Sequence, residues 1–225
     1  MIRYVEIAQG GPRNRGSLVP LANLSQYIDT GAPLDISNAE NSVRNFEGIR
    51  YIDEILIDID KHDNSDSRTL DITRATVMQL EDLGMQEESM QAYFSGTGYH
   101  LAISNEAFGF QGSQRLPVHL KQSILALLPE ADISIYTRTG LYRVAHTLNP
   151  KTNLYKIPLT QRELLNHNPE TIMNLALEQR LEYPYELLGG DGELAEYALC
   201  EEGQSHTIAA NGQRATREPS TIVPC

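Results

Sequence analysis

An α/β fold of the α+β kind, built on a mixed β-sheet, is what this sequence predicts, and three observations predict it. Segments with period-two alternation and segments with helical periodicity interleave along the chain instead of separating into blocks. The aliphatic–acidic alternation of "EILIDID" at 54–60 marks a half-buried strand. Behind it, "SDSRTLDITRATVMQLEDLG" opens on helix-capping residue types and closes on Gly84, with Leu70, Val77 and Leu80 near one face.

The other elements follow in order. "RYVEIA" at 3–8 reads as a first strand, ended by the loop "QGGPRNRGS". "LANLSQYI" at 21–28 is a short helix, and the polar stretch "GAPLDISNAENS" at 31–42 is predicted to be a loop. "QAYFS" and "YHLAIS" are strands on either side of the turn "GTG" at 96–98. "LPVHLKQSILALLP" is a helix with proline in its first turn and Leu120, Ile124, Leu127 and Leu128 apolar. A strand is expected to start at Asp132 in "ADISIYTRTG". "GLYRVAH" and "LYKIPL" give two more strands, joined by "TLNPKTN" as a turn. The stretch from Thr160 to Tyr183 is helical and broken near Pro169. Beyond Gly189 the composition changes, and "SHTIAANGQRATREPSTIVPC" reads as a linker.

The length, 225 residues, suits one large domain or one domain with an appendage. Hydrophobic content of 40% with 21% charged residues is enough for a real core. No apolar run is long enough to span a bilayer, and the start lacks the basic and apolar segments of a signal peptide. Cys200 and Cys225 are the two cysteines, so a disulfide framework and a four-cysteine zinc site are excluded and a reducing compartment is expected.

Net charge is −12, but unevenly placed. Between Glu178 and Glu202 eight acids stand against Arg180 alone, a pattern that fits a solvated face. From Ile133 to Arg162 there is no acid, and Arg138, Arg143, Lys151, Lys156 and Arg162 are spaced along the window. A second acid-free stretch, Ile7 to Tyr27, holds Arg13 and Arg15. Windows of this kind fit an anionic ligand.

Three motifs bear on chemistry. In a strand, Asp58 and Asp60 share one face while Ile57 and Ile59 take the other. Paired carboxylates on a buried sheet repel each other unless a hard divalent cation offsets the charge; the alternative is a strand end that reaches solvent. In "FSGTGYH", Gly96 and Gly98 would let backbone amides approach a phosphate, Ser95 offers a hydroxyl and His100 sits at the next strand; a plain hairpin turn has the same spacing. In "YRVAHTLNPKT", Arg143, His146 and Lys151 offer donors suited to phosphate oxygens. Asp132 is placed to add a third carboxylate, or to cap a turn.

Taken together and in this order, "ILIDIDKHDN", "YFSGTGYHLAI" and "LYRVAHTLNPKTNLYKIPL" resemble the catalytic domain of the archaeo-eukaryotic primase superfamily, in its primase-polymerase branch of phages, plasmids and mobile elements. The resemblance runs from about Arg3 to about Ala176. It implies a palm of RNA-recognition-motif topology beside an N-terminal α/β unit, with the active site in the cleft between them. It implies two Mg2+ or Mn2+ ions on Asp58, Asp60 and Asp132, and catalysis with His100. Nucleotide contacts would come from Ser95, Gly96, Gly98, His100, Arg143, His146 and Lys151. The implied partners are single-stranded DNA template and primer, nucleoside triphosphates, and a helicase or accessory domain in the same or another chain. No membrane partner is expected, and the setting would be the cytoplasm of a prokaryotic cell. Residues 1–176 would be the catalytic domain, and 177–225 a helical end, acidic segment and linker leading to an accessory domain. The zinc knuckle of some relatives is absent. Rival readings are a metal-dependent phosphodiesterase or nuclease, and a nucleic-acid-binding module without catalysis.

Overall fold

In the computed structural model, residues 4–28, 30–37, 48–137, 140–181 and 190–198 are described; Arg138, both cysteines and the linker-like end lie outside them. The alternation in "RYVEIA" becomes β1 (Tyr4–Gln9), which buries Val5 and Ile7. It pairs antiparallel with β2 (Ser17–Pro20) on one side and β3 (Leu34–Ser37) on the other, and β3 pairs antiparallel with β7 (Leu141–Arg143). A 3₁₀ turn at Leu21–Asn23 and α1 (Ser25–Ile28) form the short helical segment expected at 21–28.

β3 corrects the prediction of a loop across 31–42. Gly31 and Pro33 signal a break, yet Leu34 and Ile36 enter a small core with Val5, Ile7, Val19 and Val144. That burial outweighs the local turn signals, and it sets Asp35 opposite Arg143 across the ladder.

The larger core lies around a second four-stranded sheet. It consists of β4 (Glu54–Ile59), β5 (Met90–Phe94), β6 (Tyr99–Ser104) and β10 (Ile157–Leu159), in the order β10-β5-β6-β4. Every ladder between these strands is antiparallel, where a mixed sheet was expected. The reason is the insertion of β6. Helix α2 (Asp66–Asp82) carries the chain from β4 to a parallel β5, but β6 folds back between them. Several antiparallel sheets with helices packed on them make the fold class α+β.

Period two divides the faces of this sheet. Ile55, Ile57 and Ile59 of β4 and Leu101 and Ile103 of β6 are almost fully buried in the core shared with Leu70, Val77 and Leu80 of α2. Each such aliphatic side chain contributes about 1.5–3 kcal/mol on leaving water. The opposite face carries Asp58 and His100, which are partners in register. Ser65 caps α2, its hydroxyl accepting from the Arg68 amide at 3.2 Å.

Downstream of β6 come α3 (Asn105–Phe108) and α4 (Leu116–Leu127), the latter with proline in its first turn as expected. "GLYRVAH" stays extended only through Arg143, and the left-handed His146 (φ 66°) turns the chain. β8 (Leu148–Asn149) and β9 (Leu154–Tyr155) close the "TLNPKTN" turn. The helical stretch after Thr160 splits at Pro169 into α5 (Gln161–Asn166) and α6 (Pro169–Leu175), α5 opening on a Thr160–Glu163 capping box. Residues 190–198 return to the core, with Leu194 and Ala198 buried and the Leu194 amide donating to Ala107 O at 2.9 Å. Among the described residues no helix is long and apolar enough to cross a membrane.

Candidate active site

A cleft of about 240 Å³ opens between the two sheets. One wall is Asp35, Leu141, Tyr142 and Arg143 from the first sheet; Asp58, Asp60, Ser95, Thr97 and His100 come from the second, and Asn149 and Lys151 from the β8–β9 turn. Of the residues singled out in the sequence, the fold brings Asp58, Asp60, Ser95, His100, Arg143 and Lys151 into this one space. Gly96, Gly98, His146 and Asp132 are not part of its lining.

Asp58 is held on β4 with its Oδ1 3.4 Å from His100 Nε2. Burial, then the charges of Asp60 and Asp132, push its carboxyl up to about 7, while Lys156 works in the opposite direction. His100 is buried, and desolvation, followed by the charges of Lys156 and Arg143, lowers it well below its ordinary value. The ring is therefore neutral, and its Nδ1 has no hydrogen-bond partner among the described residues.

Asp132 reaches the same region by a different route from the one expected. No strand starts there. Asp132 caps a 3₁₀ turn, Ile133–Ile135, its Oδ1 accepting from the Ser134 amide at 2.7 Å. A short polar side chain that satisfies the turn's own amide favours a cap over a strand start. Its backbone amide donates to Asp58 O at 2.7 Å, which ties the turn to the end of β4. Tyr136, just beyond, donates its hydroxyl to Leu56 O. As a result Asp60, His62 and Asp132 each present one ligand atom, all within 4.8 Å of one another, an arrangement that can hold a metal ion.

The glycine turn has a steric logic. A Cβ on Gly98 would stand 2.5 Å from Ile59 O and 3.1 Å from Asp60 Cα, so only glycine lets the hairpin pass the end of β4. The Gly98 amide donates to Ser95 Oγ at 3.1 Å, and the Ser95 amide to Gly98 O at 2.9 Å. With that amide engaged, the hydroxyl proton of Ser95 remains to be donated into the cleft. Gly96, with φ +94°, packs on Asn149, whose side chain donates to Ser95 O at 3.2 Å.

The basic wall is anchored beneath the surface. Arg143 pairs with Asp35 at 3.3 Å and donates to Leu148 O at 2.8 Å. Burial lowers Arg143 and raises Asp35, and each opposes the other's shift. Asp35 Oδ2 is buried without a partner among the described residues. Lys151 is exposed at the rim, its amide donating to Asn149 Oδ1 at 3.0 Å. His146 lies apart; its backbone amide donates to Lys156 O, and burial lowers its imidazole.

Sequence reasoning missed three members of this site. Asp35 was hidden by the loop signals around β3. His62 follows Asp60 by two residues, and the D-x-D-x-H spacing of potential ligands was its only signal. Lys156 was named only among the bases of the acid-free window; it is 2% exposed, and a lysine inside the apolar run "LYKIPL" was the visible hint of its burial.

No family model and no curated protein matches the chain. Among solved structures that match, one is the archaeo-eukaryotic primase domain of the primase-polymerase (PrimPol) of cyanophage S-2L. Its TM-score is 0.41 at 14% sequence identity, with 79% of this chain and 89% of that chain covered. At that level of similarity, function has to be read from this chain's own residues.

Proposed function

We propose that this chain is a divalent-metal-dependent nucleotidyltransferase of the primase-polymerase kind, extending or making primers on single-stranded DNA. The observation that carries the reading is the division of one cleft into two chemistries. Carboxylates of Asp58 and Asp60, with Asp132 beside them, gather at one place, and donors of Ser95, Arg143 and Lys151 line the rest. A metal–triphosphate complex asks for both, because acids bind the cations and donors bind phosphate oxygens.

The residues fit Mg2+ or Mn2+, since the donor set is dominated by carboxylate oxygens. When bound, such ions neutralise charge on the phosphates and polarise the attacking 3′-hydroxyl. Asp58, Asp60 and Asp132 would hold them. Ser95 and Arg143 would orient the triphosphate so that its α-phosphorus faces the hydroxyl, and Lys151 at the rim would meet the outer phosphates. The 3′-hydroxyl would give up its proton to water as the O3′–phosphorus bond forms, the α–β bridge would break, and pyrophosphate would leave. Neutral His100, 3.4 Å from Asp58, would contact the nucleotide and set the carboxylate's direction. Template, primer and nucleoside triphosphates are the partners this reading requires, and a helicase or accessory domain is a further one it allows.

The test is extension of a primed single-stranded template with labelled nucleotides and Mn2+ or Mg2+. Asp60→Asn is expected to lower the rate by at least about 10²–10³-fold, the scale of losing one group that stabilises transition-state charge. Near-native extension by that variant would overturn the reading. Strand cleavage without extension by the native chain would replace it with a nuclease.

A further inference from the structure

We propose that His62 is a metal ligand, completing with Asp60 and Asp132 a cation site of mixed nitrogen and oxygen donors that prefers manganese-class ions to magnesium. The proposal rests on the reading of the cleft as a metal site and adds a ligand that the paired-aspartate motif does not contain.

Three features of the site carry it. The ligand atoms of Asp60, His62 and Asp132 lie within 4.8 Å of one another, and His62 Nε2 is 3.7 Å from Asp132 Oδ2. An ion bound at about 2.0–2.2 Å from each atom holds neighbouring ligand atoms about 3–3.5 Å apart, so the His62–Asp132 pair fits with little movement and a pair at the 4.8 Å limit closes by a side-chain rotation. The two carboxylates are also oriented in advance. Asp60 Oδ1 accepts from the Lys61 amide at 2.8 Å and Asp132 Oδ1 from the Ser134 amide at 2.7 Å. In Asp132 this leaves Oδ2 as the free oxygen, and Oδ2 is the atom that His62 faces. Backbone donors that fix the outer oxygen of a ligating carboxylate are the usual support of a metal site.

The third feature is the position of His62. Its side chain is 62% exposed, and its backbone takes the left-handed conformation (φ 42°) immediately after Lys61. That conformation is unfavourable for a residue with a Cβ. The contact with Asp132, at 3.7 Å, is too long for a hydrogen bond and does little to offset it. Coordination of an ion shared with two carboxylates gives the conformation a purpose.

Asp58 stands outside this triad, its Oδ1 turned to His100. The paired aspartates are therefore divided: Asp60 belongs to a cation site formed before nucleotide arrives, and Asp58 is left for a second ion that comes with the triphosphate. The imidazole sets the preference, because the affinity of a mixed nitrogen and oxygen site rises along the transition metals from manganese upward, while magnesium binds through oxygen.

The experiment loads the full chain with Mn2+ and reads nitrogen coordination by electron spin-echo modulation, beside calorimetric affinities for Mn2+ and Mg2+. Native protein is expected to show ¹⁴N modulation from a bound imidazole. His62→Ala should lose that signal and about 10–100-fold in Mn2+ affinity, with Mg2+ affinity nearly unchanged. His100→Ala should keep the signal. If native protein binds Mn2+ without nitrogen modulation, or if the signal survives in His62→Ala, the role of His62 is overturned and the carboxylate metal site stands. If native protein does not bind Mn2+ at all, both readings fall.

Discussion

Asp58 shows how a single side chain can be kept against its own solvation. Its side chain is 16% exposed, beside a neutral histidine and near two more carboxylates. With its ordinary value of 3.8 raised to about 7, the folded chain holds a proton that the unfolded chain has released across that window. Stability contributed by this group therefore falls as pH rises from about 4 to about 7, and stays low above. Asp58→Asn removes the ionisation and keeps the shape. Chemical denaturation of both proteins should show nearly equal stability at pH 4, with the variant about 1–3 kcal/mol more stable at pH 8. An unchanged or negative difference at pH 8 would mean that Asp58 is adequately solvated in the fold. The same variant is expected to lose nucleotidyl transfer, which separates a residue retained for function from one retained for stability.

At the scale of elements, the end of β4 and the β5–β6 turn are one unit. Gly98 lies against Ile59 O and Asp60 Cα, so any side chain there pushes backbone against backbone. Gly98→Ala is expected to cost about 1–3 kcal/mol through this overpacking and to weaken Mn2+ binding by displacing Asp60. Gly109→Ala serves as control, because a Cβ there meets nothing within 4 Å while its φ of +74° still imposes left-handed strain. Equal metal affinity in the Gly98 and native proteins would detach the turn from the site. Much of this unit was legible in advance: the alternation of "EILIDID", the capped α2 and the strands around "GTG" are local patterns. What was not legible depended on distant partners. β3 holds only Leu34 and Ile36 as apolar residues among turn formers, and pairing with β1 and β7 decides its state. Asp132 was read as opening a strand, because the choice between strand and cap lies in one side-chain contact with Ser134. His62 sits on a left-handed turn, where neither periodicity nor burial marks it.

At the scale of the whole molecule, the two sheets meet over one buried lysine. Lys156 Nζ donates to Arg143 O at 2.9 Å and lies 4.8 Å from the Tyr93 ring centre and 5.4 Å from that of Tyr142. Tyr93 belongs to the second sheet and Tyr142 to the first, so the ammonium stands under the cleft with an aromatic ring from each side. Burial, with a smaller push from Arg143, lowers Lys156 from 10.5 to about 7, against the pull of Glu54, Asp58 and Asp35. Between those values the unfolded chain holds a proton that the folded chain has given up, so the lysine's contribution to stability rises with pH across the window. Its charge also opposes the upward shift of Asp58, which ties the basic wall of the cleft to the acidic one. Replacing Lys156 by methionine keeps the stem and the ring contacts and removes the charge. Burial of the charged ammonium costs stability, as its lowered value shows; against that, Arg143 O loses one donor and Glu54, Asp58 and Asp35 lose a neighbouring positive charge. The variant is therefore expected to be about 1–3 kcal/mol more stable than the native chain at pH 6–7, with the gain fading as pH approaches 10. It is also expected to bind the Mn2+–triphosphate complex less well at pH 7, because Asp58 then holds its proton more tightly. Denaturation curves at pH 6, 8 and 10, with titrations of Mn2+ and a non-hydrolysable triphosphate at pH 7, test both parts. Loss of stability at pH 6 would show that the lysine's hydrogen bond and ring contacts outweigh the burial of its charge.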